Sequence, residues 1–471
     1  MHRRARSRHA WIVAAFSLVA SAAGCRAILG VHDYSDDGDL AGADAGNVLE
    51  SGETDSPLSG DATQQTDGGP CMSDPADGGY LTNATQVVTG LGFSCALLVD
   101  GDVACWGDNT RRQLGAFAKV STSAAPKLVA DVHDIKKLAA GDAHVCALST
   151  TGAVTCWGDN ASFQLGQLDP SPAGPTSVTA VSSVSDIATG AAHTCVIQAG
   201  YGLPRCWGAN DVLELGHDSG TGPTPVSVTP SITPPTATTI AAGEQHACTL
   251  GTGGVACWGA DDRGQLGNNV TQAAVRYTLA FAGTPTVTGV RAGGRDTCVV
   301  TTGGLYCAGT NSNGQLGGAT PENPGYTATP VPLDTLDAAI DIALSGAHSC
   351  VWNADHQLYC VGDNLRGELG NGLLNVDASV IATAVTGVDG GAWFGPVISV
   401  AVAADYGGLA SDRLQPDAAA YPRHSCAVLQ GKCGGMAGAV YCWGSNEAGE
   451  VGNGTLKGPV LTPQAVVGVT N

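Results

Sequence analysis

Basic charge is scarce in this 471-residue chain: 21 Lys and Arg stand against 42 Asp and Glu, a formal net charge of −21. No basic stripe interrupts that balance, and a surface of this sign repels phosphate backbones, so nucleic acid is excluded as a partner. Catalytic motifs are missing too. There is no Gly-x-Ser-x-Gly elbow, no His-Glu-x-x-His and no phosphate loop. The stretch Gly434-Gly435-Met436-Ala437-Gly438 lacks the strand and helix that a nucleotide site needs. The apolar run Trp11 to Ala23 counts 13 residues, too few to span a bilayer. These absences leave no catalytic, cofactor or metal residue to name, and the expectation is a protein that is not an enzyme. A lyase or hydrolase that gathers acidic side chains is the alternative.

Cysteine, by contrast, is plentiful and regular. Fourteen of 17 form seven close pairs: Cys95 with Cys105, Cys146 with Cys156, Cys195 with Cys206, Cys248 with Cys257, Cys298 with Cys307, Cys350 with Cys360, and Cys426 with Cys442. The second cysteines recur at intervals of 51, 50, 51, 50, 53 and 82 residues. A period near fifty signals stacked units. Within each unit, apolar residues alternate on both sides of a short Gly-bearing turn, the pattern of an antiparallel hairpin. Partners in a hairpin share a constant index sum, so Cys146 and Cys156 centre on Thr151 and face each other. Opposed residues at such a site lie about 4.5 Å apart at Cα, which accepts a disulfide. A lone hairpin cannot bury its apolar face, but fifty residues suffice for a four-stranded blade, and seven blades arranged radially leave only short edges. The expected fold is all-β, a seven-bladed β-propeller.

The run Ala-Gly-x-x-His-x-Cys-Ala-Leu, a hairpin, Val-x-Cys-Trp-Gly-x-Asn and then Gly-Gln-Leu-Gly resembles the regulator of chromosome condensation repeat in a cysteine-bearing bacterial form. Gly264-Gln265-Leu266-Gly267 and Gly314-Gln315-Leu316-Gly317 match the last element in full. The resemblance covers residues 83–471 and implies a seven-bladed propeller. It implies no single activity, since the family includes an exchange factor, an inhibitor of β-lactamases and many binding modules.

Residues 1–25 differ. Arg3, Arg4, Arg6 and Arg8 precede the apolar run, as in a signal peptide, and Ala22-Ala23-Gly24-Cys25 resembles a lipoprotein cleavage box that would leave Cys25 acylated. Ordinary cleavage near Ala22 is the alternative. Residues 26–82 carry twelve acidic residues against one basic and too little apolar surface to order themselves, so they read as a disordered acidic tether. Loss of the signal's four arginines brings the charge to −25, of which the tether supplies −11 and the propeller −14. Cys71 and Cys433 remain; they form a ring-locking bridge or stay as free thiols. Sixteen paired cysteines require an oxidising compartment, hence export to the cell envelope, outer membrane or surface.

Recurrent polar residues admit two roles each. His144, His193, His246, His348 and His424 stand two before the first cysteine, as a zinc ligand or a structural hydrogen-bonder; Phe93 and Asp296 replace them in repeats one and five, which favours structure. Trp106, Trp157, Trp207, Trp258 and Trp443 suit a glycan-stacking array or core packing, and Ala308 and Val361 replace them in two repeats, which favours packing. Asn109, Asn160, Asn210, Asn311, Asn364 and Asn446 fit turn chemistry. The long interval is expected to hold an insertion at about 371–423 bearing Trp393, Phe394, Tyr406 and Arg413, types that anchor interfaces, although Trp393 and Phe394 could equally fill the last blade junction. The functional expectation is a lipid-anchored, extracytoplasmic propeller that binds a protein or glycan. A regulator or enzyme inhibitor is the alternative.

Overall fold

Each of the seven cysteine pairs closes a hairpin, and each hairpin is the middle of a four-stranded antiparallel blade. The computed structural model describes residues 79–115, 120–170, 172–200, 204–218, 220–227, 236–317, 326–332, 339–374, 379–386, 396–403, 423–430 and 438–469. All regular structure among them is strand. The second blade shows how one is made. Its strands are Ile135–Ala140, His144–Ser149, Val154–Gly158 and Thr176–Ser177. Cys146 stands directly opposite Cys156, with Cα atoms 4.1 Å apart and a disulfide between them. The turn lies at Thr151, as the index sum requires, and Gly152 follows with φ +85°, a conformation that glycine adopts without strain.

The first strand of every blade faces an axis. These strands are Ala84–Gly90, Ile135–Ala140, Val184–Thr189, Ala237–Ala242, Val287–Gly293, Ala339–Leu344 and Val397–Val402. Each contacts the next, and the last contacts the first, so the ring is closed. Closure is also made by backbone. Ala84 pairs with Gly438, joining blades 1 and 7 into one sheet, and Leu81 N–H donates to Val466 O at 2.9 Å. Residues 79–82, placed with the acidic tether on sequence grounds, therefore belong to the ring: Tyr80 bridges Val467, and Val440 N–H donates to Leu81 O. Leu81 is buried there among Ala84, Val440 and Val466, which is the apolar surface the rest of that segment lacks.

The inserted block at 371–423 also changes meaning. It contains the outer strand of blade 6, Ser379–Ala384, and the inner strand of blade 7, Val397–Val402. Spacing counted between cysteines could not separate those strands from true extra chain. In other blades only two or three residues join first strand to second, whereas in blade 7 residues 403–423 do so. Trp393, Phe394, Tyr406 and Arg413 all lie outside the described residues, as do Cys25, Cys71 and Cys433.

Blades approach closely at the axis because the repeat places glycine there. A Cβ on Gly141 would lie 2.3 Å from Gly190 O, and one on Gly190 would lie 2.4 Å from Gly243 O. Cross-blade backbone bonds run beside them: Leu91 N–H to Asp142 O, Asp142 N–H to Ala191 O, Ala191 N–H to Glu244 O and Glu244 N–H to Gly294 O, at 2.7–3.2 Å. Gly190→Ala should destabilise by about 1–3 kcal/mol through overpacking against backbone that has no room to move. Gly222→Ala, with nothing within 4 Å of its added carbon, should change stability by less than about 0.5 kcal/mol. Thermal melting of the two variants checks this, and equal effects would contradict it.

Candidate interaction face and axial channel

Side chains of the repeat reach across the seams between blades. Each remaining tryptophan donates its indole N–H to the carbonyl of the glutamine or glutamate that stands two before the glycine closing the preceding blade's turn. Trp157 reaches Gln113 O, Trp207 reaches Gln164 O, Trp258 reaches Glu214 O, Trp443 reaches Glu368 O and Trp106 reaches Glu450 O, at 2.7–2.9 Å. The last of these spans blades 7 and 1. Where Ala308 stands in place of tryptophan, Phe281 packs with it and with Leu266 in one buried cluster. The tryptophans are thus core, fully buried, and offer no stacking face.

Histidine is used the same way. His144 Nε2 meets Thr194 Oγ1, His246 meets Thr297, His348 meets Ser425 and His424 meets Ser94, at 2.7–3.1 Å, always in the following blade. Burial pushes these four rings down to about 3, so they are neutral and can accept or donate but not carry charge. Three seams depart; in blade 5 Asp296 stands in place of the histidine, and the other two are instructive. Phe93 in blade 1 faces a blade whose matching residue is Val145, so both polar partners are gone together. His193 faces Ala247, and both its ring nitrogens are buried without a partner. Among the described residues no group of three His, Cys, Asp or Glu could hold a metal. The asparagines make turns: Asn109, Asn160, Asn210, Asn311, Asn364 and Asn446 each accept the backbone N–H five residues on, at 2.9–3.1 Å.

The first strands line an axial channel of about 480 Å³. Its polar lining joins successive blades. Gln86 bonds both backbone groups of Leu138, at 2.9 and 3.0 Å. Lys137 pairs with Asp186, whose carboxylate also accepts Ile240 N–H at 3.0 Å. Arg291 meets Asp341 at 2.6 Å, and Ser399 accepts Val87 N–H at 3.2 Å. Sequence reasoning passed over all of these. A signal existed: Gln86, Lys137, Asp186 and Asp341 each stand nine residues before the first cysteine of their blade. The channel pairs opposite charges between neighbours, so its chemistry is that of a staple.

In an antiparallel blade, the connection between strands one and two and that between three and four emerge on the same side. That side is distinctive here. Val120, Leu168, Val270, Leu365, Leu373, Leu374 and Leu456 are exposed large apolar residues, and all lie in connections between third and fourth strands, in five of the seven blades. Leu168 is 78% exposed, Leu373 57% and Leu374 53%. Cross-blade ion pairs hold the connections on this side: Arg111 with Asp159 at 3.0 Å and Arg366 with Glu447 at 2.9 Å join loops after third strands, Arg295 with Glu244 at 3.3 Å joins loops after first strands, and Arg423 with Asp363 joins one of each. Exposed apolar tips on rigidly held loops are the makings of a recognition surface.

Comparison with known proteins agrees with this architecture. Family models of the regulator of chromosome condensation (RCC1) repeat match residues 84–113 and 135–164, and a second such model matches residues 100–148. The chain carries regulator of chromosome condensation repeats. The human probable E3 ubiquitin-protein ligase HERC3 is 33% identical over 194 residues, covering 40% of this chain and 18% of that protein. Protein pim1 of Schizosaccharomyces pombe is 27% identical over 201 residues, 39% of this chain and 36% of that one. The chain therefore spans well under half of the length of these curated relatives. Among solved structures, Prp20p from Saccharomyces cerevisiae superposes with a TM-score of 0.62 at 21% identity, covering 84% of this chain and 90% of that one. Yeast RCC1 (Prp20) with Kap60 bound to it gives 0.63 at 21% identity, covering 88% and 91%. At that identity the likeness is one of fold: the repeats build a β-propeller.

The orphan His193 generates a test. Ala247→Ser would place a hydroxyl where blades 3, 5, 7 and 1 carry Thr194, Thr297, Ser425 and Ser94, between the imidazole and Glu214 O. Satisfying a buried polar group should raise stability by about 1 kcal/mol, seen as a higher melting temperature. A fall would show that His193 is satisfied in another way.

Proposed function

We propose that this propeller is a protein-binding module held at a membrane outside the cytosol, presenting its exposed-leucine loop face to a partner. The observation that carries the reading is the cluster of seven exposed apolar side chains, Leu168, Leu373 and Leu374 among them, on loops at one side of a closed, cross-braced ring. Related propellers support it: Prp20p is described with binding to Gsp1p and histones, and yeast RCC1 with Kap60 bound. The net charge of −14 on the propeller disfavours nucleic acid and favours a protein surface. Export is supported by seven disulfides, which persist in oxidising compartments, together with the arginine-led apolar leader. Ala22-Ala23-Gly24-Cys25 supports acylation at Cys25, with residues 26–78 as the leash. Any ligase activity of the HERC relatives remains theirs.

A bridge between Cys71 and Cys433 belongs to the same proposal. Support for it is that Gln430 and Gly438 end the hairpin strands on either side of Cys433 and that Gly438 pairs with Ala84 near the start of the described residues.

Three measurements test the reading. Cys25→Ser should abolish acylation in the intact mass and move the protein from the membrane to the soluble fraction; unchanged fractionation would refute the anchor. Peptide mapping without reduction should recover Cys71 linked to Cys433, and alkylation of both as free thiols would refute the bridge. Leu373→Ser with Leu374→Ser should cut recovery of crosslinked partners from intact cells at least tenfold, about 1.4 kcal/mol of binding, with melting unchanged. Undiminished recovery would remove the loop face from consideration.

A further inference from the structure

Three blades put a glutamate where the repeat has glutamine in its Gly-Gln-Leu-Gly turn: Glu214, Glu368 and Glu450. The glutamines show what the position does. The Oε1 atoms of Gln113, Gln164, Gln265 and Gln315 each accept the backbone N–H two residues earlier, at 2.8–3.0 Å. Three of them donate from Nε2 to an aspartate in the same loop: Gln113 to Asp108, Gln164 to Asp159 and Gln265 to Asp262, at 2.7–3.2 Å. Glutamate keeps the first bond. Glu368 Oε2 accepts Arg366 N–H at 2.7 Å, and Glu450 Oε2 accepts Ala448 N–H at 2.8 Å. It loses the second, because a carboxylate has no proton to give: Glu368 Oε1 and Glu450 Oε1 are buried without a hydrogen-bond partner.

Both glutamates are wholly buried, and both sit at the seams of the same blade. The Glu368 carbonyl accepts Trp443 and Ser425 of blade 7 at 2.7 and 3.0 Å. The Glu450 carbonyl, on blade 7 itself, accepts Trp106 and Ser94 of blade 1 at 2.8 and 3.1 Å. Charging either side chain thus puts an anion with one unbonded oxygen beside the bonds that hold the closing blade.

We propose that Glu368 and Glu450 make ring closure pH-sensitive, with blade 7 held firmly while both are protonated and loosened when they ionise. Burial raises Glu450 to about 7 and Glu368 to about 8. The neighbouring charges act in known directions. Around Glu368, Asp363 raises it further, while Arg423 from blade 7 lowers it. Around Glu450, Glu447 on its own turn and Asp108 from blade 1 raise it. The histidines across these seams, His348 and His424, stay neutral over the same range. Since the folded values lie above the ordinary 4.5, the contribution of each acid is complete below that pH and is lost as pH climbs through about 7 and then about 8. The loosened state belongs on the alkaline side.

Melting of the full exported chain between pH 5 and 9 tests this, read beside amide exchange corrected for its intrinsic pH dependence. The wild type should lose on the order of 3 °C or more between pH 5 and about 8 and then level off, while Glu368→Gln with Glu450→Gln should flatten the loss. Exchange should rise with pH in His424–Gln430 and Gly438–Gly444 before it rises in the strands of blades 2 and 3. The reciprocal change, Gln164→Glu, should bring the same dependence to the seam between blades 2 and 3 and does not rely on the double variant folding. An unaltered profile in the double variant, uniform exchange across all blades, or a pH-independent Gln164→Glu would each overturn the proposal.

Discussion

No blade of this protein satisfies its own core. The indoles of the five repeat tryptophans and the imidazoles of four of the five repeat histidines find their partners in the adjacent blade, and the axial side chains do likewise. Stability is therefore a property of seams, as in other repeat proteins, with the difference that the array closes on itself and removes the need for capping units. The disulfides act within a blade and the hydrogen bonds act between blades. The first keep each hairpin in register; the second fix blade order and make the ring one body.

That division accounts for where recognition can reside. The buried repeat residues are committed to structure, and the channel charges to each other. What is left free is the loop set after the third strand, whose Gly-x-Leu-Gly turn is pinned by asparagine and whose tip carries leucine or valine in five blades. A binding surface built on such loops varies without disturbing the seams beneath. Glu214, Glu368 and Glu450 replace the glutamine of the repeat at a seam, and the last two lie at the blade that completes the ring.

Much of the fold was legible because the cysteines mark both period and register. Facing cysteines, buried tryptophans, hydrogen-bonding histidines and turn-forming asparagines all follow from residue type at a fixed offset. Replacement is informative as well: Phe93 stands where other blades have histidine and shares a buried cluster with Val145, a pair with no polar side-chain atom to satisfy. The interval of 82 residues misled, since cysteine spacing cannot tell an added loop from an added strand, and Val397–Val402 was hidden inside it. Gln86, Lys137, Asp186 and Asp341 were passed over because they span three residue types, so their shared offset makes no motif.

The amino-acid sequence alone determined the hairpins, their sulfur links, the number of repeats and the acidic character of the chain, because these depend on contacts near in sequence or on composition. Only the tertiary structure decided which blade receives each donor, which loops share a side, where residues 79–82 dock and which acids are left without a partner. Those outcomes depend on the radial approach of blades fifty residues apart, and distance across a seam is set by packing at the axis and not by position along the chain.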